Sequence, residues 1–171
     1  MNAKVKTYLT IPVLFIIVAL VWSIVGNSLL KNSEIVREGS NSPLINKLTT
    51  NLFVKDVNTS IDFYTELLNF EVEMTVPDSG KLDFAIIRNG EIELMLQSYD
   101  GIKSALPNRI PDELTPSFLL FFEVSDLDSI YNKTKSAVLI KDKHQTFYGT
   151  NEFSIADPDD YIIGFSQFIE N

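Results

Sequence analysis

The sequence predicts an α+β fold: paired βαβββ modules that form a curved mixed sheet around a cleft, preceded by a single transmembrane helix. Two observations carry this prediction. A long uncharged apolar stretch occupies most of the first thirty residues. From residue 48 onward, short apolar runs alternate with turn signals and occur in the same order twice. We therefore divide the chain into an N-terminal segment at 1–30, a linker at 31–47 and a folded domain at 48–171.

Residues 7–30 contain no charged side chain. As a helix they would be about 36 Å long, against about 30 Å for the hydrocarbon core of a membrane. This length predicts a single-pass anchor in the cell membrane. A cleaved signal peptide is the alternative, since residues 26–28 are small and polar enough for a cleavage site. Lys4 and Lys6 precede the stretch, which favours a cytoplasmic N-terminus and an extracytoplasmic domain.

Residues 31–47 are polar and contain Gly39 and Pro43, as is typical of a tether.

The charge of the chain excludes several kinds of partner. Residues 47–171 carry 10 basic and 21 acidic side chains, a net charge of -11. Nucleic acid is therefore not an expected partner, and cationic ligands are favoured over anionic ones. The chain has no cysteine, which excludes disulfides, thiolate zinc sites and cysteine nucleophiles.

The first module begins with a strand and an acidic turn at residues 52–57. Asn58, Thr59 and Ser60 are suitable helix N-caps, and the apolar residues that follow have helical spacing. Three strands are predicted after the helix, at residues 70–76, 82–87 and 91–97. The last two are joined by Asn89-Gly90, a strong hairpin signal.

The second module repeats this order about seventy residues later. A strand and an acidic turn at residues 122–127 precede a helix with Leu127, Ile130 and Tyr131 on its apolar face, and Ser125 with Asp128 resembles a weak capping box. Strands are predicted at residues 137–140, 152–156 and 161–168. Residues 100–116 contain one glycine and three prolines and are predicted to connect the modules. Neither half can bury a sheet face alone, so the two should pack together and enclose a ligand cleft.

The chain resembles the vicinal-oxygen-chelate superfamily, which includes glyoxalase I, ring-cleaving dioxygenases, fosfomycin-resistance enzymes and bleomycin-binding resistance proteins. The resemblance lies in LFVKDVNTSIDFYTELLNFEV, Ile92-Glu93-Leu94, FFEVSDLDSIY and YGTNEFSIADPDDYIIGFSQ. The last stretch is most similar to the bleomycin-resistance branch. It departs from that branch at Asn151, where arginine is common, and at Asp160, where glycine usually completes the turn.

The resemblance also implies where a divalent metal would bind in this superfamily. Its four ligand positions correspond to Thr49, Glu93, Leu119 and Gly164, of which only Glu93 is a strong ligand. A catalytic metal normally needs about three protein ligands. We therefore expect no metal and no cofactor. The alternative is a lyase or dioxygenase-like metalloenzyme with an atypical site around Glu93.

Other catalytic arrangements have little support in the sequence. The only histidine, His144, lies in a polar stretch that we interpret as an exposed loop, and a role as a general base at the cleft mouth is the alternative. Glu93 is either an inward-facing carboxylate or the polar member of an alternating strand. No nucleophile is paired with a base, and no glycine-rich phosphate loop occurs. We therefore predict no catalytic residue.

Ligand binding has more support than catalysis. The domain contains sixteen Phe and Tyr residues, most of them expected in the core and the rest available to stack on a planar ligand or a cation. The predicted ligand-binding residues are Glu93, Tyr99, Phe147 and Tyr148. We expect a membrane-tethered protein that sequesters or senses an aromatic, cationic small molecule without altering it. An interaction domain is the third hypothesis, and the resemblance allows a homodimer in which a second chain completes the cleft.

Overall fold

The structure, a computed structural model, describes residues 44–169 and contains the predicted repeat. The first module comprises β1 (Thr50–Val54), α1 (Val57–Leu68), β2 (Glu71–Val76), β3 (Phe84–Asn89) and β4 (Ile92–Ser98). The second comprises β5 (Leu119–Glu123), α3 (Leu127–Lys133), β6 (Val138–Gln145), β7 (Thr150–Ala156) and β8 (Ile162–Phe168). Between the modules lies α2 (Tyr99–Ala105). The order strand, helix, three strands is thus confirmed for both halves.

Each module forms its own four-stranded mixed sheet, in the orders β1-β4-β3-β2 and β5-β8-β7-β6. The first and last strands of each module are parallel, because the helix carries the chain back across the sheet, and the other pairs are antiparallel. One continuous curved sheet was expected, but the described residues form two sheets that are not hydrogen-bonded to each other. Instead the hydroxyl of Tyr161 bonds the backbone N–H of Phe53 at 3.2 Å and its carbonyl at 3.1 Å. A side chain therefore occupies the outer edge of β1 where strand pairing would continue the sheet.

Both crossover helices begin at an aspartate. The Asp56 carboxylate accepts from the N–H of Thr59, and that of Asp126 accepts from the N–H of Ser129, each at 2.9 Å. The sequence prediction placed the first cap at residues 58–60 and proposed a capping box from Ser125 for the second. In both helices the cap is the aspartate that ends the preceding acidic turn.

A single hydrophobic core joins the two modules. It contains the inward faces of both sheets together with apolar residues of α1 and α3. Phe70, before β2, packs on Phe122 near the end of β5, with ring centroids 6.4 Å apart. Phe118, before β5, packs at 5.3 Å on Tyr161, which bonds Phe53 near the end of β1. The strands β1 and β5 therefore run in opposite directions, and the start of one lies at the same edge of the molecule as the end of the other.

Buried polar groups also connect the modules, and we call this cluster the polar joint. Asp157 accepts from the backbone N–H groups of Asp159 and Tyr161 at 2.9 Å and from the hydroxyl of Tyr64 in α1 at 3.0 Å. Asp159 accepts from the N–H of Lys55 at 3.0 Å. Burial raises the pKa of both carboxyls. The Asp-Pro-Asp turn of the second module is thereby fixed to the end of β1 and to α1.

Three other sequence predictions can be compared with the structure. Residues 100–116 were predicted to be an irregular connection, but they begin with α2, which Ser98 caps by accepting from the N–H of Gly101 at 3.0 Å. His144 lies within β6, which continues beyond its predicted end at residue 140, and it is not a loop residue. The predicted membrane segment at residues 7–30 lies outside the described residues. Over residues 44–169, the structure contains no helix with the length and apolar character needed to cross a membrane.

Candidate functional site

Glu93 lies at the start of β4 and is surrounded by cationic and hydroxyl partners. Its Oε1 accepts from the hydroxyl of Thr49 at 3.0 Å and lies 2.7 Å from the Lys47 ammonium. Its Oε2 lies 2.5 Å from the guanidinium of Arg88, which also bonds Glu73. Burial acts to raise the pKa of Glu93, but the hydrogen bonds from Lys47 and Thr49 and the charges of Lys47 and Arg88 lower it overall. The carboxylate is therefore held ionised.

This arrangement does not fit a divalent metal. Both oxygens of Glu93 already bond cations or a hydroxyl. The two positions that the resemblance assigns to the second module, Leu119 and Gly164, offer no donor side chain, and the ring of Phe121 covers Gly164. Within residues 44–169, no three His, Cys, Asp or Glu side chains come together as a metal-binding group. Since a catalytic site of this kind normally has about three protein ligands, Glu93 and Thr49 alone would not hold the ion.

A cavity of about 190 Å³ lies beside β1, and we call it the β1 cavity. Its walls are Asn51 and Phe53 of β1, Tyr99 of α2, Tyr161, and the connection between residues 110 and 118. Asn51 and Phe53 point away from the core because they alternate with the buried Leu52 and Val54. The cavity therefore lies where the two modules and their connection meet.

Aromatic rings form much of the wall of this cavity. Phe53, Tyr99, Phe118 and Tyr161 all line it. The Tyr99 hydroxyl donates to the carbonyl of Pro111, which fixes α2 to the connection. Tyr161 is fixed by its two bonds to β1. The two tyrosine rings are therefore held in place by hydrogen bonds within the protein.

One buried acceptor in the wall is unpaired. The Asn51 side chain donates from Nδ2 to Oε1 of Gln97 at 2.8 Å. Its Oδ1 is buried and has no hydrogen-bond partner among residues 44–169. Leaving a buried acceptor unpaired costs about 1–3 kcal/mol. Because this oxygen is itself buried, a ligand in the cavity would bond it, and remove that cost, only after the Asn51 side chain rotates toward the cavity.

The four predicted binding residues lie in three places. Glu93 belongs to the ion-paired cluster at the start of β4, and Tyr99 follows the end of the same strand and lines the β1 cavity. Phe147 and Tyr148 form the turn between β6 and β7, and neither lines this cavity. Sequence reasoning did not identify Asn51, Phe53 and Tyr161. For Asn51 and Phe53, the available signal was that successive side chains of a strand point to opposite faces.

A more open hollow of about 330 Å³ lies between the start of α3 and β6, and His144 lines it. Several of its polar groups are already paired: Lys143 lies 2.6 Å from Asp128, and Gln167 accepts from the N–H of Leu127 at 3.0 Å. The His144 ring lies 3.1 Å from the carbonyl of Asp142. This hollow lacks the aromatic walls and the unpaired acceptor of the β1 cavity, which is therefore the stronger candidate site.

Comparison with known proteins identifies the family. The model of the Glyoxalase/Bleomycin resistance protein/Dioxygenase superfamily matches residues 45–165. The chain therefore belongs to this superfamily, and the predicted superfamily is confirmed at that level. No curated protein sequence matches the chain.

Solved structures of this fold are similar to the chain at low sequence identity. A glyoxalase/bleomycin resistance protein/dioxygenase family enzyme from Burkholderia phytofirmans PsJN superposes with a TM-score of 0.61 at 18% identity, covering 71% of this chain and 97% of that one. The fosfomycin resistance protein FosX from Listeria monocytogenes gives 0.56 at 13% identity, covering 74% and 96%. Lactoylglutathione lyase from Agrobacterium tumefaciens gives 0.57 at 17% identity, covering 74% and 96%. These similarities concern the fold.

Proposed function

We propose that this protein is a membrane-tethered receptor that binds a small, planar, cationic aromatic molecule in the β1 cavity, without a metal and without altering it. The observation that carries the proposal is the aromatic wall of the cavity, which also includes Asn51, whose buried Oδ1 has no partner among residues 44–169. An acceptor in this position favours a ligand with an N–H or O–H donor. The surrounding rings favour a flat apolar body, and their faces attract cations.

Charge and size narrow the ligand class further. The net charge of -11 over residues 47–171 favours a cation, and Glu113 contributes a carboxylate to the cavity wall. Sites for drug-sized ligands usually enclose roughly 300–1,000 Å³. A cavity of about 190 Å³ suits a smaller molecule, or one that projects partly into solvent.

The tether is proposed from the sequence. Residues 7–30 are long enough to span the bilayer, and residues 31–47 would link them to the domain. Lys4 and Lys6 favour a cytoplasmic N-terminus, so the receptor would face outward. Protease added to intact cells should then digest the domain. Full protection of the domain would contradict the outward orientation.

Binding can be tested with three probes that share one ring: benzamidine is a cationic donor, benzamide a neutral donor and benzoate an anion. The full chain in nanodiscs of neutral lipid would be titrated by calorimetry, with empty nanodiscs as the blank. We expect benzamidine to bind most tightly and benzoate least. Equal binding of all three, or no saturable binding of any, would contradict the proposed ligand class.

The role of Asn51 can be tested in the same titration. A hydrogen bond from a charged donor contributes roughly 1.5–3 kcal/mol, so Asn51→Leu should raise the Kd for benzamidine about 12- to 150-fold. Asn151→Leu, at an exposed position of β7, is the matched control and should leave the Kd unchanged. An unchanged Kd in Asn51→Leu would place the ligand elsewhere. A stoichiometric divalent ion that is lost in Glu93→Gln would support the metalloenzyme alternative instead.

A further inference from the structure

We propose that one edge of the domain docks on the lipid bilayer through the aromatic turn between β6 and β7. We call it the hairpin edge: it carries the start of β1, the turn between β3 and β4, the turn between β6 and β7, and the end of β8. This inference rests on the proposed membrane tether and adds a second, independent contact with the same membrane. The partner of this edge is the surface of the bilayer. The exposed rings would contact its interfacial and apolar layers.

The topology brings these four features together. β1 is parallel to β4, so the start of β1 lies beside the turn between β3 and β4. β5 is parallel to β8 and runs opposite to β1, so the end of β8 lies at the same edge. Thr150 of β7 is the register partner of Phe168 in β8, which places the turn before β7 there as well. The chain enters the domain at this edge.

Several large apolar side chains at the hairpin edge are exposed, as are others on β5 and β6. Phe147 is 100% exposed, Phe168 is 61% exposed and Tyr148 is 58% exposed. Leu44, Ile45 and Leu48, which lead into β1, are also exposed. Single exposed apolar residues are common on soluble proteins, but a group at one edge indicates an interaction surface.

The aromatic turn is held in a fixed shape. The backbone N–H of Thr146 donates to the carbonyl of Thr150 at 2.8 Å, and Gly149 has a φ of +89°, a left-handed conformation that favours glycine. The Tyr148 hydroxyl donates to Glu152 at 2.8 Å. The Phe147 ring packs only edge-on against Tyr148, at 5.0 Å. The turn therefore presents a phenyl ring outward with a tyrosine beside it, a combination suited to the boundary between lipid and water.

The length of chain before the domain favours the bilayer as the occupant. Residues 31–43, which separate the proposed membrane segment from the described domain, can span at most about 45 Å. Because Leu44 leads into β1 at the hairpin edge, this tether would hold that edge within about 45 Å of the membrane. At this edge Lys47 and Arg88 are paired with Glu93, so the contact would be apolar and would not depend on anionic lipids.

The test uses tryptophan fluorescence in the full chain, because Trp22 is the only tryptophan of the sequence and lies in the proposed membrane segment. The wild type and two variants in a Trp22→Phe background would be reconstituted into neutral phosphatidylcholine vesicles with and without brominated acyl chains. Phe147→Trp places the probe in the aromatic turn. Val138→Trp is the matched control, an exposed apolar position at the start of β6, at the opposite edge.

We expect emission from Phe147→Trp to shift to shorter wavelength on the vesicles and to lose intensity with brominated lipid, whereas Val138→Trp does neither. Adding phosphatidylserine should not increase the effect. If Trp22 of the wild type is quenched but position 147 behaves like position 138, the docking proposal is wrong and the tether stands. If Trp22 is not quenched and the chain does not float with the vesicles, the tether itself fails. Equal quenching at positions 147 and 138 would show contact without a preferred edge, and would also overturn the docking proposal.

Discussion

The hydroxyl of Tyr64 is the part of the polar joint that can be removed most cleanly. It donates at 3.0 Å to Asp157, a carboxyl that is only 4% exposed, and so links α1 of the first module to the turn before β8. In Tyr64→Phe the ring keeps its edge-on contacts with Phe63 and Phe70, at centroid distances of 5.3 and 5.7 Å. The substitution therefore removes a hydrogen bond and leaves the apolar packing in place.

The expected cost follows from the charge and burial of the acceptor. A hydrogen bond to a charged group contributes roughly 1.5–3 kcal/mol. Asp157 keeps its two backbone donors in the variant, so the carboxylate is not left wholly unpaired. We expect the free energy of unfolding of Tyr64→Phe to fall by about 1.5–3 kcal/mol at neutral pH.

Urea unfolding followed by circular dichroism would measure this loss. Tyr131→Phe is the matched control, because its hydroxyl donates at 2.7 Å to the exposed Asp142 and its ring packs on Phe153 as the Tyr64 ring packs on Phe70. We expect no measurable change in the control, since solvent replaces that partner. If Tyr64→Phe is as stable as Tyr131→Phe, the joint does not hold the modules together and our reasoning is wrong.

Three further predictions concern pH and packing. Because burial raises the pKa of Asp157, the folded protein holds that proton to higher pH than the unfolded chain, and its free energy of unfolding should fall as pH rises from the ordinary aspartate pKa through the raised one. Asp159 has a raised pKa as well, so Asp157→Asn should reduce this slope in urea titrations at several pH values, and an unreduced slope would refute the role of Asp157. The pKa of Glu93 is lowered, so its effect on stability is the opposite: the free energy of unfolding that it contributes should be lost as pH falls below the ordinary glutamate range. Glu93→Gln should not show this loss at acidic pH. If the pH dependence is the same in the variant, the pairing with Lys47 is contradicted. A Cβ on Gly164 would lie 2.6 Å from the Phe121 ring, so Gly164→Ala should lower the melting temperature in the wild type and have less effect in a Phe121→Ala background.

Several elements of the fold were predictable because their signals are local. The apolar run Leu52-Phe53-Val54, the Asn89-Gly90 turn and the helical spacing around Tyr64 depend on residues close together in the chain. The short helix α2 was missed because the glycine and prolines of that region indicate a connection. The helix nevertheless begins there because the side chain of Ser98 caps it, accepting a hydrogen bond from the N–H of Gly101.

The candidate site was only partly predictable, because its walls come from distant parts of the chain. Tyr99 was identified as a binding residue and does line the β1 cavity. Phe147 and Tyr148 belong to a turn at the hairpin edge, and whether they or Glu93 contact a ligand stays a prediction. The alternation of β1 places Asn51 outside the core, but its hydrogen-bond partner Gln97 lies 46 residues further along the chain, so the state of its side chain had no local signal.

The amino-acid sequence by itself determined the repeated module and the acidity of the domain, because composition and spacing are properties of the chain. It also determined that few residues at the metal-binding positions implied by the superfamily can bind a metal. The tertiary structure alone decided that the modules form two sheets, that Glu93 is neutralised by Lys47 and Arg88, and that Asn51 faces an aromatic cavity. These features depend on contacts between residues far apart in sequence. Such contacts form only when the core closes and brings α1 against the Asp-Pro-Asp turn.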